Sequence, residues 1–206
     1  LFDYISEGRL TWRSIGDHFD RFVYPFGSFA AHRKRRTYMQ ELCRAFPGSR
    51  REIRRYFRDV GRAARWFSRR YLAQCFPQPF AGLLRLLNLP GRRLALRPTE
   101  DYLASRVSDP HVRTVLSSQW GDYGAPPSES SFMIHAVIVN HYLRGGYFPV
   151  GGSHRIATTV EKVIEQTGGA VLVNRHVQSI LVEDGAAVGV RVADRRFGTP
   201  REVEYR

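Results

Sequence analysis

The chain has 206 residues, 43% of them apolar, and a formal net charge of +13. That length and apolar content allow one large domain or two small ones around a buried core, and they exclude an intrinsically disordered class. No run reaches the roughly 18 to 20 uncharged apolar residues of a membrane-spanning helix, and the N-terminus lacks the zones of a secretory signal. Both ends read as cut from something longer: Leu1 opens directly on apolar residues, and residues 200–206 break off within an alternating run. Cys43 and Cys75 are too few and too distant for a disulfide framework or a tetrahedral zinc site, so a reducing, cytoplasmic setting is expected. The positive charge is almost wholly arginine, with Lys34 and Lys162 the only lysines, and much of it lies between Arg33 and Arg70.

In chain order, the first thirty residues mix aromatic and turn residues such as Trp12, Phe19, Phe22 and Pro25 and predict short strands, with Arg21 to Tyr24 the best candidate. From Ala31 the pattern turns helical: Tyr38, Leu42 and Phe46 share one side, and Pro47-Gly48 ends the helix. Ser49 and Glu52, three apart, have the form of a capping box for a second helix. In that helix Ile53, Phe57, Val60, Ala64, Phe67 and Tyr71 recur at three- and four-residue steps. Arginines from Arg51 to Arg69 fill its other faces, which makes it basic and amphipathic. Pro77, Pro79 and Pro90-Gly91 divide the next region into short pieces. Two more helices follow, one capped by Thr99 and one by Asp109 with Pro110 at its first position.

The Gly/Pro loop "WGDYGAPPSESS" leads through a serine cap into an apolar helix over residues 131–143, with little polar surface and hence buried on most sides. Ser153 then caps a helix whose Ile156, Val160, Val163 and Ile164 form one stripe. Gly168-Gly169 ends it with residues able to take positive φ. Ala170 to Val173 predicts a short strand suited to a parallel sheet, and residues 177–192 predict a hairpin turning at Asp184-Gly185.

The loop Pro149-Val150-Gly151-Gly152-Ser153 lets a ligand approach bare backbone, and the helix after it offers unpaired N–H groups. Plain scaffolding accounts for the same pattern. Gly-Gly-Ser-His-Arg lacks the second glycine of a Gly-x-Ser-x-Gly elbow, so Ser153 reads as a cap rather than a nucleophile. His135 and His141 are six apart and diverge on a helix, against a metal-pair spacing of three or four; core or substrate-lining roles are expected, and no metal. Asp122 reads as a turn or cap residue. The arginine-rich helix suits a solvated face over a packed stripe or a membrane surface. It has no zinc finger, aromatic RNA-binding signature or helix-turn-helix beside it, so no nucleic-acid partner is expected. No Gly-x-Gly-x-x-Gly follows a strand, so the pyrophosphate-binding turn and the acidic ribose partner are absent from these residues.

Three stretches carry a resemblance: "QWGDYGAPPSESSF", "HAVIVNHYLRGGYFPVGGSHRIA" and "GGAVLVNRHVQSILVEDGAAVGVRV", joined by "FDYISEGRLTW" near the start. In order and over most of the chain they resemble the phytoene desaturase, carotenoid isomerase and retinol saturase family of FAD-dependent oxidoreductases. The resemblance implies an α/β (α+β mixture) fold covering the middle of such a protein. Residues 1–146 would form a mostly helical substrate region with some early strands, and residues 147–206 the return into a discontinuous FAD-binding domain.

It further implies FAD as the cofactor of the intact parent, with NAD(P) a candidate electron partner. The substrate would be a hydrophobic polyene or isoprenoid-like molecule, desaturated, saturated or isomerised. Location would be cytoplasmic or peripheral to a membrane, with the region from Arg33 to Arg70 as the contact. Val177 matches the family's adenine-contacting strand, where backbone groups can pair with adenine; a core valine is the alternative. Gly151 and Gly152 would allow close backbone approach to the cofactor. Trp120, Tyr123, Phe132, His135, Tyr147 and Phe148 would line a cleft beside the flavin or pack between the domains, and no catalytic residue is assigned. Without the glycine-rich turn these residues alone are not expected to hold FAD or to be active. Two rivals remain: a non-catalytic lipid- or protein-binding relative of the Rab escort and GDP-dissociation-inhibitor type, and a basic nucleic-acid module.

Overall fold

Residues 1–194 and 201–205 are described by a computed structural model. The chain is an α/β mixture, with about 53% of the described residues in helix and 22% in strand. It divides into two compact units, Arg13–Phe148 and a second made of Leu1–Trp12 with Pro149–Arg206. The first twelve residues therefore group with the C-terminal part rather than with the region that follows them. Among them Phe2–Ile5 forms a single helical turn, α1, where short strands are predicted from sequence.

The chain passes through the short strand β1 (Trp12–Ser14) into the helical unit. There β2 (His18–Tyr24) and β3 (Gly27–His32) pair antiparallel from His18↔His32 to Tyr24↔Gly27, with a bulge after His18. Helix α2 (Arg35–Ala45) buries Tyr38 and Leu42 and ends before Pro47, as its periodicity predicts. Helix α3 (Arg50–Leu72) is the axis of this unit. Its stripe of Ile53, Phe57, Val60 and Ala64 is buried and its arginines are exposed, but the stripe's far end is open at Tyr71. The buried face is also wider than the apolar spacing indicates, because it includes Tyr56, Asp59 and Trp66. A buried carboxylate needs partners. Asp59 has them in the hydroxyl of Tyr102, which donates at 3.1 Å, and in Arg62 at 3.3 Å.

After α3 come α4 (Phe80–Leu87), α5 (Arg92–Leu96), α6 (Thr99–Arg106), α7 (Pro110–Ser117) and α8 (Phe132–Tyr142). The α7 cap is as expected: the Asp109 carboxylate accepts from the backbone N–H of His111 and Val112, a contact of about 1 kcal/mol. Two other expected caps are absent because longer-range partners take the side chains. Glu52 accepts from the backbone and hydroxyl of Ser108 instead of closing a box with Ser49. Thr99 is the first residue of α6, not its cap, and its hydroxyl donates to the Ser130 carbonyl at 3.0 Å. Ser131 and Ser153 occupy the positions before α8 and before the helix that starts at His154, without a side-chain capping bond. Helix α8 lies mainly against α3 and buries Phe132, His135, Ala136 and Val139.

Strand β4 (Tyr147–Pro149) carries the chain into the second unit. Helix α9 (His154–Gln166) ends at Thr167, and Gly168 takes φ +82°, the left-handed conformation glycine tolerates. β5 (Arg175–Glu183) and β6 (Ala186–Asp194) form the predicted hairpin through Asp184 and Gly185, at φ 50° and 78°. Two positive φ values at the central residues define the type I′ turn that matches strand twist. At the open end Arg175 donates to Asp194 at 2.7 Å with both side chains nearly buried. β7 (Arg201–Tyr205) adds a third antiparallel strand within the expected alternating run; residues 200 and 206 of that run lie outside the described residues. The strand predicted at Ala170 to Val173 does not form. A parallel strand takes its backbone hydrogen bonds from neighbours, and none of the described residues supplies them.

Candidate functional site

The candidate residues fall into two groups, one in each unit. In the helical unit, Phe132 and His135 project from adjacent turns of α8 into the core, both fully buried. Phe132 stacks on Tyr102 at a centroid distance of 3.7 Å. His135 is held at both ring nitrogens: Nε2 lies 2.7 Å from the Tyr56 hydroxyl and Nδ1 lies 3.2 Å from that of Tyr123. Tyr56 has one O–H, and it donates to the carbonyl of Leu116 at 3.1 Å. Nε2 must therefore carry the proton and donate to Tyr56, and Nδ1 must accept from Tyr123. Burial pushes the imidazole pKa down to about 4, so the ring is neutral at physiological pH. The phenol of Tyr56 is held well above its usual range, first by burial.

The other aromatic candidates of this unit are open. Trp120, Tyr147 and Phe148 are exposed, and Tyr123 is half-buried between the core histidine and the surface. Trp120 and Tyr123 sit on a turn of 3-10 helix, Ser118–Tyr123, that ends where Gly124 takes φ +73°. Next to Trp120, Gln119 is buried with its amide nitrogen unpartnered among the described residues. Sequence reading passes over Gln119, because a lone amide in a loop carries no spacing signal. Asp122 is raised above the usual carboxylate range by burial and by the neighbouring charge of Asp20.

In the second unit Gly151 and Gly152 precede α9 at φ +92° and +97°. Added Cβ atoms would approach Arg155 Cγ at 3.1 Å and His154 Nδ1 at 3.2 Å. Their backbone conformation alone demands glycine, so a bulky substitution strains the loop whether or not a ligand is near. Val177 is half-exposed on β5, paired with Val192 beside a bulge at residue 178. The described sheet order is β5-β6-β7, so β5 lies at an edge. In an antiparallel strand alternate residues turn N–H and C=O away from the partner, which leaves an open row of backbone groups on β5. Val177, Ile180 and Val182 expose apolar side chains on the same strand.

For a dinucleotide cofactor these residues fit one portion only. An open strand edge can pair with a planar base, and left-handed glycines before a helix of 13 residues leave backbone N–H groups accessible. The glycine-rich turn that would hold a pyrophosphate is not among the residues of the chain.

No protein-family model matches the chain. It is 35% identical over 205 residues to the all-trans-retinol 13,14-reductase of Danio rerio, covering 93% of this chain and 33% of that protein. It is 29% identical over 198 residues to the neurosporene-forming phytoene desaturase of Cereibacter sphaeroides, covering 90% of this chain and 38% of the other. To the chloroplastic prolycopene isomerase of Daucus carota it is 25% identical over 179 residues, or 81% and 28% of the two chains. The chain thus spans about a third of the length of the curated relatives it matches.

Proposed function

We propose, on the premise that this chain belongs to the phytoene desaturase, carotenoid isomerase and retinol saturase family, that it forms the middle part of an FAD-dependent oxidoreductase acting on a hydrophobic polyene. The observation that carries the proposal is similarity running through 93% of the chain, both units included. The grouping of Leu1–Trp12 with Pro149–Arg206 supports a cofactor domain interrupted by a substrate domain. So does the apolar surface of the second unit at Val171 to Val173, Ile180 and Val182, which more protein would cover. Identity of 35% to a reductase, against 29% to a desaturase, favours saturation as the first reaction to assay.

When bound, FAD would supply the two-electron exchange with the polyene. The chain's own residues would bind and orient. The edge of β5 at Val177 would pair backbone N–H and C=O with the adenine, and the loop at Gly151 and Gly152 would let the cofactor pass close to the backbone. Tyr147, Phe148 and Trp120, already open, would give apolar walls that keep water from the reacting carbons. Phe132 and His135 would act from behind, His135 by fixing the hydroxyl of Tyr123.

Val177→Pro removes one backbone donor, whereas Val177→Thr keeps it. In the parent protein, Val177→Pro should weaken flavin binding about tenfold, the equivalent of one lost hydrogen bond, while Val177→Thr leaves it unchanged. Full flavin affinity in the proline variant, measured on folded protein by absorbance per chain, would remove the adenine role.

A further inference from the structure

Between Asp59 and Glu100 the chain carries eight arginines and neither an acidic residue nor a lysine. The same stretch exposes its apolar side chains. Helix α4 buries only Ala81, while Phe80, Leu83, Leu86 and Leu87 are each more than half exposed, and Phe76 and Leu89 beside it are open as well. A helix that shows its leucines to solvent has to be held by something other than its own apolar face. Here a reciprocal clamp does so: Trp66 Nε1 donates to the carbonyl of Asn88 at 2.8 Å, and Asn88 Nδ2 donates to that of Trp66 at 2.9 Å. Gly91 closes against the same indole so tightly that an added Cβ would stand 2.6 Å from its Cδ1.

Around this clamp lie two arginine-lined clefts that share Trp66 and Asn88. Arg70, Arg85 and Arg92 line one, and Arg62, Arg65 and Arg69 the other. Among the described residues only Arg62 of these six has a carboxylate within ion-pair distance.

We propose that this face, α4 with its two arginine clefts, docks the protein onto a bilayer that bears anionic phospholipid. Cover by a protein core would bury guanidinium groups without carboxylates, which is strongly unfavourable. A membrane interface suits both halves of the surface. Phe80 and the α4 leucines enter the acyl boundary, and the arginines remain at the level of the lipid phosphates, their stems along the apolar surface. The N-terminal half of α3 cannot serve in this way, because its apolar stripe is already buried in the core. The membrane contact expected between Arg33 and Arg70 thus moves toward residues 62–97. This surface is independent of the flavin reading, since none of the residues assigned to the cofactor lies on α4 or lines the two clefts.

The test is flotation of the 206-residue chain with vesicles of phosphatidylcholine, with and without phosphatidylserine. Binding is expected to require phosphatidylserine and to fall as salt rises. Arg85→Gln with Arg92→Gln should weaken it about twenty-fivefold, at roughly fivefold for each guanidinium. Leu83→Ala with Leu86→Ala should weaken it at least about tenfold. Arg51→Gln with Arg54→Gln, at the far end of α3, should leave it unchanged. Circular dichroism confirms that each variant is folded. Equal loss in the Arg51 and Arg54 variant would reduce the effect to net charge and overturn the proposal. Displacement by inorganic phosphate at unchanged ionic strength would make the clefts a free-anion site, and an unaffected leucine variant would remove insertion. Absence of binding to either vesicle would also overturn it.

Discussion

Truncation of Phe132 to alanine is expected to destabilise the helical unit by about 3–5 kcal/mol, the range for a buried phenylalanine. The ring is fully buried, stacks on Tyr102 at 3.7 Å and meets the edge of Tyr56 at 6.4 Å. With total domain stabilities of about 5–15 kcal/mol, this one change should bring the urea midpoint down by about a fifth or more. Phe132→Leu should recover roughly half the loss. The measurement also decides between two roles for the residue. A ring lining an open cleft would cost less than about 1 kcal/mol on truncation, and the effect would fall on ligand binding. A small change in urea midpoint would therefore contradict its place in the core.

Acid should loosen the same core through His135. Its imidazole is neutral when folded, with the pKa lowered to about 4 by burial, whereas the unfolded chain titrates near 6.5. Between those values the unfolded state binds more protons. Stability from this group is thus fully present above about pH 6.5 and is lost as pH falls toward 4, by roughly 3 kcal/mol in total. A proton on Nδ1 would also face the hydroxyl of Tyr123 as a second donor, so Tyr123 would have to turn. Urea midpoints measured down that pH range should fall in the parent chain and show a shallower slope in His135→Gln. A ring resonance of His135 that titrates near 6.5 in the folded protein would contradict the buried neutral triad.

The features legible in the sequence are those governed by near neighbours. Asp109-Pro110 caps α7, and Asp184-Gly185 turns the β5–β6 hairpin, because those signals act within two or three residues. The stripe of α3 is legible through its period, but Asp59 and Tyr56 on the same helix are not. Their burial depends on Tyr102 and His135, which are 43 and 79 residues away. The failed caps have the same cause: Glu52 and Thr99 are taken by Ser108 and Ser130, 56 and 31 residues on. Ala170 to Val173 has the composition of a strand, yet a strand also needs a neighbour, and composition does not supply one.

For the candidate site, motif resemblance picks out the loop and strand positions, whereas their burial follows only from packing. Phe132 and His135 resemble Tyr147 and Phe148 as aromatic residues near a motif, and the structure separates them into core and surface. The arginines likewise stand out in composition, but the apolar half of the surface beside them does not. Its leucines lie in a region that prolines divide into short pieces, and the structure shows them exposed on α4 beside the clamp between Trp66 and Asn88.

Flavin content of the parent protein is the property that most sharply separates a flavoenzyme from a non-catalytic relative. Purified as expressed, the parent should be yellow, with stoichiometric FAD released on denaturation and visible absorbance that bleaches on reduction with dithionite. A colourless parent that is stably folded and gains no absorbance on incubation with FAD would contradict the flavoenzyme reading.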